Sequence, residues 1–230
     1  MNNYKLIHDE DQLQKFIDFL PALNPNESYL LILIARKKWN PNNNIPSALK
    51  LKRETVSKEK IIQTIRQWEV AHGTYRHNGV HIEQDNLGVY IGYNPKDQHK
   101  ACFDLINKCL DNIKNDRQGI NVKSMANDVI QSSNGTKHFM DIDVDVKDGE
   151  DYKEIIKFIT SIVDESKCTI IKTSGGFHCL INLDNLGASW YNQIKAHTFK
   201  SDLNIMSNDL MPLVACNQGK FIPYVIDENY

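Results

Sequence analysis

An α+β fold is predicted, on three observations. At 230 residues, 41% of them hydrophobic, the chain is long enough to bury a core without disulfide or metal staples. Its apolar residues recur at helical spacing in some stretches and alternate or run on in others, so both periods are present. The second half reads as strand, helix, strand, Gly-Gly turn, strand and helix, with no repeat or Pro/Ser-rich linker to divide it. One unit is expected, with an N-terminal layer over about residues 1–130 and a sheet-bearing part over about 131–230.

Leu13, Phe16, Ile17 and Leu20 recur at helical spacing behind the acidic start Asp9, Glu10 and Asp11, and Pro21 ends that helix. A buried strand follows at 29–35, and then an irregular stretch, 39–46, rich in proline and asparagine. Ser57 is placed to cap a helix running to about Ala71. Residues 73–85 have no apolar period and read as a loop, 87–93 as a strand, and 101–113 and 122–130 as helices. Beyond them come a strand at 137–146, a helix at 152–163, strands at 169–173 and 178–183, a helix at 188–199, and short strands near Leu213 and over 221–226.

A net charge of −2 excludes a global attraction to nucleic acid or acidic lipid, and no apolar run approaches the roughly 20 residues that span a bilayer. No membrane partner is expected. The five cysteines form no C-x-x-C motif and are odd in number, which points to free thiols and a cytoplasmic location. Charge is unevenly placed. Over 36–66 lie Arg36, Lys37, Lys38, Lys50, Lys52, Arg53, Lys58, Lys60 and Arg66 against Glu54 and Glu59, whereas 139–154 is strongly acidic. The first segment has the character to hold phosphates and the second cations; a solvated face accounts for each equally simply.

In Phe139-Met140-Asp141-Ile142-Asp143-Val144-Asp145-Val146, acidic and apolar residues alternate, so as a strand all three aspartates point one way. Same-face neighbours stand roughly 7 Å apart and repel unless water or a cation compensates them. Carboxylates so spaced suit Mg²⁺ or Mn²⁺, and a solvated strand face remains the alternative. An EF-hand is rejected, because Lys147 and Asp148 stand where that loop needs a ligand and a glycine. One helix later, Ser174-Gly175-Gly176 separates a strand ending at Lys172-Thr173 from one beginning Phe177-His178. Adjacent glycines let an anion approach backbone N–H groups, and Ser174, His178 and Lys172 add a hydroxyl, a ring nitrogen and a cation. That set fits a triphosphate better than nucleophilic hydrolysis, although an ordinary hairpin would also read this way.

Together, a D-x-D strand and a following S-G-G-x-H strand resemble the catalytic core of the archaeo-eukaryotic primase superfamily, the primase-polymerase group. The stretch 211–221, with its proline and Gln-Gly, looks like that of small phage and mobile-element members. The resemblance covers roughly residues 130–226 and implies a primase-polymerase core, an RRM-like antiparallel or mixed sheet packed with helices, beside an N-terminal α/β layer. It implies that Asp141, Asp143 and a later acid, Asp209 or more weakly Asp227, hold two Mg²⁺ or Mn²⁺ ions. Ser174, Gly175, Gly176 and His178 would grip an NTP or dNTP. Related replicative subunits carry arginines inside the Ser-to-His turn. This turn lacks them, so the phosphate cation is expected from Lys172 or Lys220, with Arg76 and Lys137 behind them. Arg36, Lys37 and Lys38 would track a single-stranded DNA template, with Trp39 or Trp68 stacking a base.

The implied function is template-dependent nucleotidyl transfer, with a helicase or accessory primase subunit as a further partner. Neither a zinc module nor a P-loop is present in the sequence, and His77 and His81 read as loop residues. Two alternatives use the same residues differently: a two-metal nuclease or phosphohydrolase, and a non-catalytic strand-binding relic of the primase fold.

Overall fold

The expected mixture of helices and strands resolves into two five-stranded antiparallel sheets and a two-stranded hairpin at residues 76–81. The computed structural model describes residues 2–147, 152–184, 186–187, 189–197, 202–206 and 210–226. In chain order the elements are α1 (Glu10–Phe19), β1 (Glu27–Arg36), β2 (Ala48–Val56), α2 (Ile61–Trp68), β3 (Arg76–His77), β4 (Val80–His81), β5 (Leu87–Gly92), β6 (Lys96–Asp97), α3 (Gln98–Lys114), α4 (Val122–Ser132), β7 (Phe139–Asp145), α5 (Tyr152–Ile162), β8 (Cys168–Lys172), β9 (Gly176–Asn182), α6 (Ser189–Ala196), β10 (Asp202–Met206), β11 (Leu210–Pro212) and β12 (Tyr224–Val225). The first sheet has the order β11-β5-β1-β2, with β6 on the start of β1, and the second has the order β10-β7-β9-β8-β12.

Local chemistry explains most boundaries. The Asp9 carboxylate accepts the Gln12 N–H at 2.9 Å and caps α1, which buries Leu13, Phe16 and Ile17. β1 is apolar from Tyr29 to Ala35 because it is central, flanked by β5 and β2. Asp97 and Asn121 cap α3 and α4 in the same way as Asp9 caps α1.

Several elements differ from expectation: α2 ends at Trp68, short of Ala71, and Ser57 makes no side-chain cap bond before it. β2 was not expected as a strand; it is an edge strand whose residues alternate between exposed and half-buried, with Lys50 and Lys52 on the exposed side, and whose pairing with β1 shifts register between Leu33 and Ile34. The 73–85 stretch is not plain loop, because Asn78 (φ 49°) and Gly79 (φ 80°) form a tight turn between β3 and β4. The last helix stops at Ala196, and β10 follows it to pair with β7.

The first sheet is drawn from residues 27–97 apart from β11, and the second from residues 139–225. β11 returns to pair with β5, while β12 pairs with β8. Between them, residues 213–219 run buried and knit to the N-terminal segment and to β5, with the Asn217 N–H donating to the Leu6 carbonyl and the Val89 N–H to the Asn217 carbonyl, each at 2.9 Å. Phe139, Ile171 and Leu180 of the second sheet lie in one core with α1, α2, β1 and β5. A second core fills the opposite face, where Ile142, Val144, Phe177 and Cys179 pack against α5 and α6. Among the described residues no helix is long and apolar enough to cross a membrane, and all five cysteines are free thiols.

Candidate active site

The two faces of β7 have opposite fates. Ile142 and Val144 seal the helix-covered core, so Asp141, Asp143 and Asp145 must project from the other face. Burial is graded along the row: Asp141 is fully buried, the Asp143 side chain is 28% exposed, and Asp145 is open to solvent. β9 lies antiparallel to β7 with His178 opposite Asp143 and Gly176 opposite Asp145. The His178 ring is buried between the first two acids, with Nδ1 at 2.7 Å from Asp141 Oδ2 and Nε2 at 3.6 Å from Asp143 Oδ1. Burial disfavours the imidazolium, but the hydrogen bond and charge of Asp141, with the charges of Asp143 and Asp145, outweigh it and raise the His178 pKa. Asp143 is also raised, first by burial and then by the like charges of Asp141 and Asp145, with His178 and Lys38 opposing.

The turn before β9 is built on backbone proximity. A Cβ at Gly176 would sit 1.8 Å from the Val144 carbonyl oxygen, so only glycine lets β9 close on β7. The Thr173 N–H donates to the Gly176 carbonyl at 3.0 Å and the Val146 N–H to the Gly175 carbonyl at 3.2 Å. The Ser174 N–H donates to Gln218 Oε1 at 3.0 Å, which ties the turn to the buried 213–219 segment. Ser174 and Gly175 are exposed beside the acidic row.

The first sheet supplies the facing wall. Tyr90 of β5 is within electrostatic reach of Asp143, and the Arg36 and Gln218 side chains both reach its hydroxyl; burial, the largest influence, raises its pKa. The Arg36 guanidinium lies 5.6 Å from the centre of the Trp39 ring. That ring rests on Gly88 and Gly219, where added Cβ atoms would come within 2.5 and 2.8 Å of it. Lys38, exposed next to it, is the basic residue whose charge reaches Asp143.

Asp141, Asp143, Ser174, Gly175, Gly176, His178, Arg36 and Lys38 therefore converge. Other expected residues do not. Lys172 pairs with Phe177 in the β8–β9 register, so it leaves the sheet on the helix-covered face, with its ammonium 5.2 Å from the centre of the Tyr152 ring. The expectation that it grips a phosphate beside His178 is corrected by this parity. Lys220 is exposed, 3.6 Å from the Asp85 carboxylate. Arg76 donates to the Gly73 carbonyl, and Lys137 lies beside Met140 Sδ. Lys37 is exposed next to Lys38. Asp209 and Asp227 lie outside the described residues.

Much of the basic 36–66 segment is engaged in the fold and not presented as a track. Lys50 donates to Gln131 Oε1 and Arg53 to the Asn127 carbonyl, both on α4. Lys58 donates to the carbonyls of Asp18 and Leu20, and Arg66 bridges Glu10 and Glu69. Trp68 is buried and donates to Glu54, so it stacks on no base, and Trp39 is committed to its glycine seat. Two functional candidates escape sequence reasoning. Gln218 follows the apolar run 211–216, where a buried amide signals a polar task; Tyr90 carries no such signal, reading as an ordinary strand aromatic.

Among the described residues no group of three His, Cys, Asp or Glu side chains is arranged to hold a metal ion. Two adjacent carboxylates nevertheless suit a Mg²⁺ or Mn²⁺ ion whose remaining ligands are water and substrate phosphates. The burial and like charge that raise the Asp143 pKa are what such a cation relieves. Compared with protein-family models, curated proteins and solved structures, the chain has no significant match.

Proposed function

We propose that the protein is a template-dependent nucleotidyltransferase of the primase-polymerase type, joining nucleotides on single-stranded DNA. One observation carries this reading: the D-x-D strand and the S-G-G-x-H strand meet side by side, with His178 hydrogen-bonded to Asp141 and Lys38 and Arg36 on the facing wall. Asp141 and Asp143 are the residues that would hold a divalent ion, which when bound lowers the pKa of a 3′-hydroxyl and neutralises triphosphate charge.

The chain's own residues then bind and position. His178, held toward its protonated form by Asp141, presents a charged ring nitrogen to a phosphate oxygen. The exposed Ser174 hydroxyl and the Gly175 N–H take a second phosphate, on a turn fixed by the Ser174 N–H bond to Gln218. Lys38 and Arg36 supply the cations that the short turn lacks. With no covalent nucleophile in this arrangement, catalysis rests on positioning and charge.

The test is incorporation of labelled dNTPs and NTPs on single-stranded DNA, with Mg²⁺ or Mn²⁺ and with or without a primer. Asp141→Ala and Asp143→Ala should each lower incorporation by at least about 10³-fold without loss of fold. Incorporation that survives both substitutions would sink the proposal. Metal-dependent loss of the labelled strand without incorporation would replace it with a nuclease.

A further inference from the structure

Helix α3 has two faces of opposite character. Toward the body it turns Ala101, its one buried residue, together with Asn112, whose amide donates to Met125 Sδ of α4 at 3.5 Å. Away from the body it presents Phe103 (68% exposed), Ile106 (56%), Leu110 (47%) and Ile113 (69%). Scattered exposed apolar side chains are ordinary, but these four are not scattered. At spacings of three, four and three they form one stripe about 15 Å long that no charged residue interrupts. At those exposures they leave on the order of 400 Å² of apolar surface, within the range of functional patches on a monomer. Ile120 and Val122, beyond the end of α3, are exposed as well.

We infer that this stripe is a homodimer interface, on which α3 of a second copy of the chain lies antiparallel. The spacing reads the same from either end. A two-fold axis midway between Ile106 and Leu110 therefore sets Phe103 of each copy against Ile113 of the other, and Ile106 against Leu110, with no stripe position left unmatched. Area agrees with a second copy: two such stripes with their polar rims bury on the order of 1,000 Å² in total, the lower bound for a specific interface and appropriate to a micromolar dimer. A nucleic-acid strand is a poor occupant, because it needs cations along its track and the stripe has none. A net charge of only −2 sets little long-range repulsion against self-association.

The full chain should show a weight-average mass rising from one copy toward two in sedimentation equilibrium between about 1 and 200 µM. Ile106→Glu/Leu110→Glu places like charges opposite each other in an antiparallel pair and should weaken dimerisation at least about tenfold. Ile106→Lys/Leu110→Glu places opposite charges together in the same register and should dimerise more tightly than the double-glutamate protein. Because the substituted side chains are exposed, thermal melts and nucleotide incorporation should match those of the natural chain. A natural chain monomeric at 200 µM, or a double-glutamate protein that still dimerises as the natural chain does, overturns the interface and leaves the stripe to a different protein. Equal weakening in both charged variants overturns the antiparallel register.

Discussion

Asp141 shares its strand face with an exposed carboxylate yet is itself fully buried, and His178 is the residue that makes this tolerable. His178 and its other neighbour Asp143 both have raised pKa values, for different reasons, and both signs can be checked. The folded His178 pKa is raised, so its interaction with Asp141 stabilises the fold fully below the ordinary value of 6.5 and is lost as pH rises through the folded value. In metal-free buffer the imidazole resonances of His178 should titrate above 6.5, and Asp141→Asn should move the transition down; an unmoved transition would show that another group holds the proton. Asp143 is raised chiefly by burial, so its ionisation opposes folding once pH exceeds the unfolded carboxyl value. Asp143→Asn should therefore stabilise the metal-free protein at pH 7 by about 0.5 to 1 kcal/mol and have almost no effect at pH 3, while abolishing incorporation. Denaturant melts at the two pH values separate this from a general effect of the substitution.

Among the elements, the turn between β8 and β9 is the one whose shape depends on single atoms. Gly176→Ala forces a methyl group into the Val144 carbonyl and should cost about 3 kcal/mol or more by prising β9 from β7. Gln218→Ala removes one acceptor from the Ser174 N–H without touching either strand, so its cost to stability should be about 1 kcal/mol. Its larger effect should be on the nucleotide KM, raised several-fold with kcat less changed; a melt shifted as far as that of Gly176→Ala would mean that Gln218 serves the fold alone. This element also shows what periodicity can and cannot read. The acidic alternation of β7 is visible because strand period and chemistry coincide in one short run. β2 is hidden because Lys50, Lys52, Arg53 and Glu54 crowd it and leave its half-buried side only Leu49 and Leu51 as apolar signal, and the β3–β4 hairpin lies in a stretch without apolar period, marked only by Asn78-Gly79.

Over the whole molecule, the two sheets share a core through Phe139, Ile171 and Leu180, and Asn94 ties them covalently distant but close in space. Its side chain accepts the His138 and Phe139 N–H groups and donates to the Phe139 carbonyl, all at 2.9 Å. The sheets should therefore unfold together. Fluorescence of Trp39 and Trp68 beside the first sheet and of Trp190 beside the second, observed in single-tryptophan proteins, should report one coincident urea transition. Two separated midpoints would show that the shared core does not couple them. Leu180→Ala, at that junction, should cost about 2 to 4 kcal/mol and lower both probes' midpoints equally.

The sequence by itself determined most of the helix and strand order of the second half, the common face of Asp141, Asp143 and Asp145, and the turn at Ser174-Gly175-Gly176, because each is written within one or two elements. It also marked Arg36 and Lys38 as basic without marking what they face. Only the tertiary structure decided that Lys172 lies on the wrong side of its sheet, that Lys50, Arg53, Lys58 and Arg66 are spent on internal contacts, and that Tyr90 and Gln218 border the site. Those outcomes depend on which strands pair and in what register, and register is settled by the burial of whole sheet faces at once, a property that no local window of residues contains.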